Sequence, residues 1–330
     1  MANLLEEASI LLTPTACNDG SMLSVKPENG DGDFTFSRNS AATRVNSQGL
    51  VENVLINLPR INYEDGCGSW LLEPQSTNLY LNSETLSTQN NTTSATTYSV
   101  SFYGTGTITF SGAYSGTLVG TGLSDRVSAT FSAASGTLVS AVSGTCTTAQ
   151  LEQKSYTTSY IPTQGASSTR LKDIATNSGN ANLINSEEGV FYAEISSLAN
   201  DSTFKLMSLN NDLSNSSNNA ITIGFSNGNN FYLRVVVNGT AILSSTNISA
   251  TKNQYYKVAI KFNSLGDNAI WIDGVEVLSN TTSFTYPVII DNLSFDYNGN
   301  GGLPFYGKTK ALAVFKTALT DEQLTALTTI

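Results

Sequence analysis

Hydrophobic and polar positions alternate most clearly in the C-terminal half of the chain. From Leu171 onward, GVFYAEISSL, FKLMSLN, AITIGFS, NFYLRVVVNG, YYKVAIKFN, NAIWIDGVEVL and YPVIIDNLSFDY follow one another at regular spacing, with Asn/Gly turns between them. Successive side chains of a strand point to opposite faces, so Tyr256, Val258, Ile260 and Phe262 face one way and Lys257, Ala259 and Lys261 the other. Many short strands with turn signals predict a sandwich or jelly roll over residues 166–330. The ending LTDEQLTALTTI switches to a helical pattern. Thr320 is the expected N-cap, Asp321 and Glu322 suit the positive helix end, and Leu324 and Leu327 share a face.

Upstream, residues 84–165 have a different texture. Ser, Thr and Gly dominate, short runs such as Val100–Phe102 and Ile108–Phe110 alternate, and Gly recurs at hairpin spacing. This predicts a small antiparallel β-sandwich. Tyr156 and Tyr160 would share one face of a closing strand that ends at Pro162, which cannot donate to a ladder. Residues 1–83 are less regular. NLLEEASILL predicts a short helical turn, Phe34 and Phe36 alternate with polar residues, Asn46 to Gly49 form a turn, and Leu50 to Ile56 suit a strand. The following Pro- and Gly-punctuated stretch predicts extended chain ordered by docking on a partner. The expected whole is all-β: an irregular N-terminal segment, a small sandwich and a C-terminal jelly-roll sandwich.

Composition narrows the chemistry. Of 330 residues only 13% are charged, the net charge is −10, and there is no histidine. The negative charge opposes a nucleic-acid backbone and an anionic membrane surface as partners. No apolar run approaches the roughly 20 residues of a membrane span, so no membrane insertion is expected. The N-terminus lacks a basic leader and carries Glu6 and Glu7. Cys17, Cys67 and Cys146 lie too far apart for a zinc motif and are odd in number, which predicts three thiols. Without histidine there is no Ser-His-Asp or Cys-His machinery and no histidine-held zinc. A two-carboxylate glycosidase is the enzyme class most compatible with that, and lyase chemistry using Tyr and Lys, which leaves no readable spacing, stays open. Its best pair, Asp273 and Glu276 in WIDGVEVL, would lie on opposite faces of a regular strand, and the Gly274 between them indicates a hairpin tip. The chain is therefore read as non-catalytic.

Two constellations remain. FDYNGNGG sets Asp296, Asn298 and Asn300 at alternate positions, as in the first half of a calcium loop, although Gly307 stands where the closing glutamate belongs. An Asn/Gly turn is the plainer account. Trp271, Tyr232, Tyr255 and Tyr256 are candidates for stacking on a sugar ring, against the alternative of core packing.

FYLRVVVNG, YYKVAIKFNS, NAIWIDGVEV and GKTKALAVFKTALTDEQL, in this order, resemble concanavalin A-like, laminin G-type lectin domains. The resemblance implies a hairpin at WIDGVEV, a terminal strand followed by a helix that closes the sandwich, and a fold that often holds calcium. Further upstream, FSRNSAATRVNSQGLVENV, LLEPQSTNLYLNSE and AQLEQKSYTTSYIPTQGASSTR resemble bacteriophage virion proteins. In those proteins the last of these stretches joins a small sandwich of carbohydrate-binding-module type to a lectin-like domain. The resemblance implies a tail- or head-fibre appendage that is homotrimeric and binds host-surface glycans, and the irregular, Pro-punctuated residues 1–83 are the expected attachment side toward other virion proteins. The alternatives are a capsid or tail connector that binds no glycan, and a glycan depolymerase.

Overall fold

The computed structural model describes residues 4–211, 218–228, 230–245, 247–299 and 301–329. It is nearly all β. The chain divides into two compact units: unit 1 is built from residues 1–38, 57–72 and 173–330, and unit 2 from residues 39–56 and 73–172. This differs from the expected boundaries at 83 and 165. Residues 1–83 are not a separate segment but are shared between the units.

Unit 1 is a sandwich. Its larger sheet runs Val275–Asn280, Asn268–Ile272, Tyr256–Asn263, Glu188–Ser197, Gly307–Phe315, Ser69–Leu72 and Ile61–Asn62, and Ile10–Leu12 also pairs with Gly307–Phe315. The second sheet runs Thr240–Ser244, Arg234–Val237, Ala220–Phe225, Lys205–Asn210 and Asn292–Ser294. A third sheet contains Ile174–Thr176 and Phe34–Ser37, and beside it Ser178 and Leu293 exchange backbone hydrogen bonds at 2.7 and 3.0 Å.

Alternation decides which side chains meet between the sheets. Val258, Ile260, Ile270, Leu312 and Val314 pack against Met207, Leu209, Ile221, Ile223, Leu233, Val235 and Leu293. Ile10, Leu12, Phe34, Phe36, Trp70 and Leu72 belong to the same core. The irregular N-terminal chain is thus ordered within its own molecule, because its apolar residues complete the sandwich interior. Asp173 bridges two fully buried arginines, with Oδ1 3.1 Å from Arg38 and Oδ2 against Arg60.

The outer face of the larger sheet is closed by the helix Asp321–Thr328. The helix starts with the expected Thr320 cap as a full capping box: the Gln323 N–H donates to Thr320 Oγ1, and the Thr320 N–H donates to Gln323 Oε1. Leu324 and Leu327 pack with Trp271, Tyr192, Ala259 and Ala269. Asp273 and Gly274, at φ 48° and 82°, make the two-residue turn of the predicted hairpin.

Unit 2 sets Gly122–Ala133, Thr96–Gly104 and Thr147–Glu152 opposite a four-stranded sheet of Gln89–Thr93, Gly136–Ser143, Thr107–Gly112 and Gly116–Val119. Tyr98, Val100, Phe102, Ile108, Phe110, Phe131 and Leu138 fill the space between them. The hairpin Ala42–Val45/Val51–Val54 also belongs to this unit.

The AQLEQKSYTTSYIPTQGASSTR stretch is not the long strand expected. Its strand pairing is confined to Thr147–Glu152 and Ser168–Arg170, with one isolated bridge between Gln164 and Asn82. Between them, side chains replace the ladder. Gln150 Nε2 donates to the carbonyls of Thr158 and Ser159, and its Oε1 accepts the Ile161 N–H. The buried Glu152 accepts the N–H and hydroxyl of Thr158, and Glu73 accepts both donors of Ser159. Tyr160 is buried with its hydroxyl 2.7 Å from Ser83 Oγ. The polarity of this stretch is the hydrogen-bonding inventory of a buried, non-ladder segment.

Candidate functional site

The five-stranded sheet of unit 1 has an apolar inner face and a polar outer one. Because side chains alternate, the partners of the core residues point outward: Ser208 and Asn210, Thr222, Arg234, and Asn292 and Ser294. Register aligns four of them in a row. Arg234 pairs with Thr222, Thr222 with Ser208, and Ser208 with Ser294. Gly224, on the same face, could not carry a side chain, since a Cβ there would lie 2.0 Å from the carbonyl oxygen of Lys205.

Hydrogen bonds fix one end of the row. Asn210 Nδ2 donates to Ser208 Oγ at 2.9 Å and to Ser294 Oγ at 3.0 Å, while Asn292 Nδ2 donates to Asn210 Oδ1 at 2.9 Å. The other end, where Thr222 is buried, is not tied by hydrogen bonds of this kind. Thr222 Oγ1 and Arg234 Nε are buried and have no hydrogen-bond partner among the described residues. Arg234 has no carboxylate within ion-pair distance among the described residues, and Nη1 donates to the Tyr232 hydroxyl at 2.7 Å. Orphaned buried donors are uncommon and cost stability, so they need an explanation.

Aromatic rings flank the guanidinium. It lies 5.3 Å from the centre of the Tyr232 ring, and Tyr232 meets Phe204 and Tyr297 edge-on at 5.4 and 6.1 Å. Burial and then the Tyr232 hydroxyl push the Tyr297 phenol up to about 12, with Arg234 opposing. The Tyr297 phenol can therefore donate a hydrogen bond at neutral pH.

The loop that carries Tyr297 is organised by Asp296. Its Oδ1 accepts from Ser294 Oγ at 3.0 Å and from the N–H groups of Asn298 and Gly299 at 3.0 and 2.5 Å, and its Oδ2 accepts the Gly301 N–H at 2.7 Å. Asp296 thus organises the Asn/Gly turn that is the plainer account of this sequence. A carboxylate ringed by four donors presents their hydrogens, not its lone pairs, to any cation. Asn298 sits in the same turn, Asn300 lies outside the described residues, and no group of acidic, Cys or His side chains suited to a metal occurs among the described residues.

The four aromatic candidates do not converge. Only Tyr232 stands on this face. Trp271 is buried under the terminal helix, 7% exposed, where it cannot stack on a sugar. Tyr256 is core: it meets Phe231 edge-on at 5.0 Å, and its hydroxyl accepts the Thr251 N–H at 2.8 Å. Tyr255 lies on the other sheet, with Lys310 Nζ 4.0 Å from its ring centre and its hydroxyl donating to Asp65 at 3.2 Å. Its ring face is already taken. Arg234, Thr222, Ser208, Ser294 and Tyr297 were not singled out from the sequence. The polar half of each alternation was visible, but such a half ordinarily marks a solvated face.

Residues 191–325 match the family model of the concanavalin A-like lectin/glucanases superfamily. The C-terminal domain is concanavalin A-like. The polar face lies wholly within the matched span. No curated protein matches the chain. Among solved structures, the CBM40 of the Ruminococcus gnavus IT-sialidase bound to α2,3-sialyllactose is 15% identical, with TM-score 0.38, over 44% of this chain and 83% of its own. The NanB sialidase of Streptococcus pneumoniae is 15% identical, with TM-score 0.37, over 44% of this chain and 24% of its own. Domain 4 of an extracellular arabinanase from Geobacillus stearothermophilus, in complex with arabinotriose, is 18% identical, with TM-score 0.36, over 52% of this chain and 81% of its own. These likenesses are distant.

Proposed function

We propose that the protein is a non-catalytic, glycan-binding appendage of a bacteriophage virion, and that its concanavalin A-like domain holds the glycan on the outer face of the five-stranded sheet. The observation that carries this reading is the pair of unpartnered polar atoms, Thr222 Oγ1 and Arg234 Nε, on paired residues of neighbouring strands, with the guanidinium against the Tyr232 ring. Sugar recognition combines aromatic contact with directed hydrogen bonds, and this face offers both. A bound hydroxyl or carbonyl oxygen would satisfy donors that the folded chain leaves without partners. Attachment to other virion proteins and trimerisation belong to the same proposal; their support is the sequence resemblance of the upstream blocks.

The test is a blocking assay. Purified protein added to host cells should inhibit phage adsorption in a dose-dependent way, and Arg234→Ala should lose most of that inhibition. A folded protein in its native oligomer that neither blocks adsorption nor binds any host polysaccharide would overturn the reading in favour of a connector. Turnover of a host polysaccharide would overturn the non-catalytic part. Light scattering that gives only a monomer mass would overturn the trimer.

A further inference from the structure

Unit 2 contains a polar cleft of about 820 Å³ that is independent of the lectin-like face. One wall is the Ala42–Val45/Val51–Val54 hairpin, which contributes Glu52 and Asn53. The opposite wall comes from Asn82, Glu84, Thr163 and Gln164, with Thr148 also at its lining. The volume is that of an ordinary small-ligand site.

Two observations distinguish it from a passive surface fold. First, Thr148 has φ 47°, a left-handed conformation that is a genuine outlier for a β-branched residue. The strain is held by backbone bonds on both sides: the Thr148 N–H donates to the Glu84 carbonyl and the Ala149 N–H to the Ser83 carbonyl. Such conformations cluster at binding sites. Second, Thr163 is 8% exposed, and its Oγ1 is buried with no hydrogen-bond partner among the described residues. A buried hydroxyl without a partner, on a residue that lines the cleft, needs an explanation.

The lining selects the ligand class. Glu52 is fixed by Asn46 and Arg44, at 3.0 and 2.5 Å, and these bonds hold its carboxyl below the ordinary range, so it stays an acceptor. Asn82 uses its side-chain oxygen on the Gly165 N–H at 2.9 Å, which leaves its NH₂ group as a donor. Glu84 and Gln164 add an acceptor and an amide, and no lysine or arginine lines the cleft. Glu52 is already paired with Arg44, and Glu84 is the lining carboxylate with no cation against it among the described residues, which disfavours an anionic ligand. Apolar lining comes from Val51, Pro162 and the ring of the buried Tyr160, a minority among mostly polar residues. Amides, hydroxyls and carboxylates together suit vicinal hydroxyl groups, each of which both donates and accepts.

We propose that this cleft is a second binding site, and that it takes a neutral oligosaccharide.

The test uses the labelled full-length protein on an array carrying neutral glycans and glycans with carboxylate or sulfate groups. Wild type, Asn82→Ala, Glu84→Gln, Thr163→Val and Arg234→Ala are compared, with circular dichroism to show that each is folded. Asn82 and Glu84 are exposed, so their variants should fold normally. The expected result is a neutral-glycan signal that falls about tenfold or more in Asn82→Ala and Glu84→Gln and persists in Arg234→Ala. A wild-type protein with no neutral-glycan signal overturns the proposal. So does a signal lost in Arg234→Ala and kept in the cleft variants, which would leave binding through the lectin-like face standing. A cleft-dependent signal indifferent to Arg234→Ala would stand even if the lectin-like face binds nothing.

Discussion

Thr222 and Arg234 pair across neighbouring strands of the five-stranded sheet, and each buries one polar atom without a partner. Removing such a hydroxyl and keeping the shape relieves an unmet desolvation cost. Thr222→Val should therefore raise unfolding stability by about 1 kcal/mol and at the same time weaken glycan binding. Chemical denaturation and a binding titration on the same variant check both signs. A variant that is less stable and binds normally would mean that the hydroxyl has an internal structural role.

The Tyr297 phenol, pushed up to about 12, ionises later than an ordinary tyrosine. The folded state keeps this proton when the unfolded chain has lost it, so the group's contribution is intact below about pH 10 and is lost as pH rises toward 12. Near-ultraviolet titration should show one late-ionising tyrosine fewer in Tyr297→Phe than in wild type, with Tyr80, Tyr192, Tyr255 and Tyr286, which burial also pushes up, among the remainder. Loss of a phenol that ionises near pH 10 would contradict the packing of Tyr297 against Tyr232.

In unit 2, Arg170 Nη1 lies 2.9 Å from Glu73 Oε2, and both side chains are almost fully buried. Arg170 also donates to Ser159 Oγ and the Pro74 carbonyl, so it ties the non-ladder stretch down. Arg170→Met should cost about 3–5 kcal/mol, because it leaves a buried carboxylate uncompensated. The double variant with Glu73→Gln should cost less than the two single effects added together. Thermal unfolding of the full chain measures all three.

Deleting residues 1–72 should prevent unit 1 from folding. It removes Ile10, Leu12, Phe34, Phe36 and Trp70 from the core, and the arginines that face Asp173. Circular dichroism and limited proteolysis of the truncated chain check this. A protease-resistant, cooperatively unfolding C-terminal fragment would contradict it.

Trp271→Ala should behave as a core variant. It empties the space beneath Leu324 and Leu327 and should lose about 3–5 kcal/mol, with glycan affinity unchanged in the fraction that remains folded. Binding loss in excess of unfolding would restore Trp271 as a contact residue.

Several elements were legible from the chain alone. Period-two alternation in YYKVAIKFN sorts Val258 and Ile260 from Lys257 and Lys261; Gly274 after Asp273 marks a hairpin; Thr320 followed by Asp321 and Glu322 makes a helix start. Each of these depends on residues within a few positions of one another, so local chemistry suffices. Which layer covers a strand face depends on partners far away in sequence. Alternation places Thr222 and Arg234 opposite the core but does not distinguish a solvated surface from a row of orphaned donors. Trp271 and Tyr256 look alike as strand aromatics, until the terminal helix covers one and the second sheet the other. Asp173 meets Arg38 across 135 positions. Only the tertiary structure decides such pairings, because hydrophobic burial is non-directional and accepts any apolar surface that completes the core, including an N-terminal chain that by itself reads as irregular.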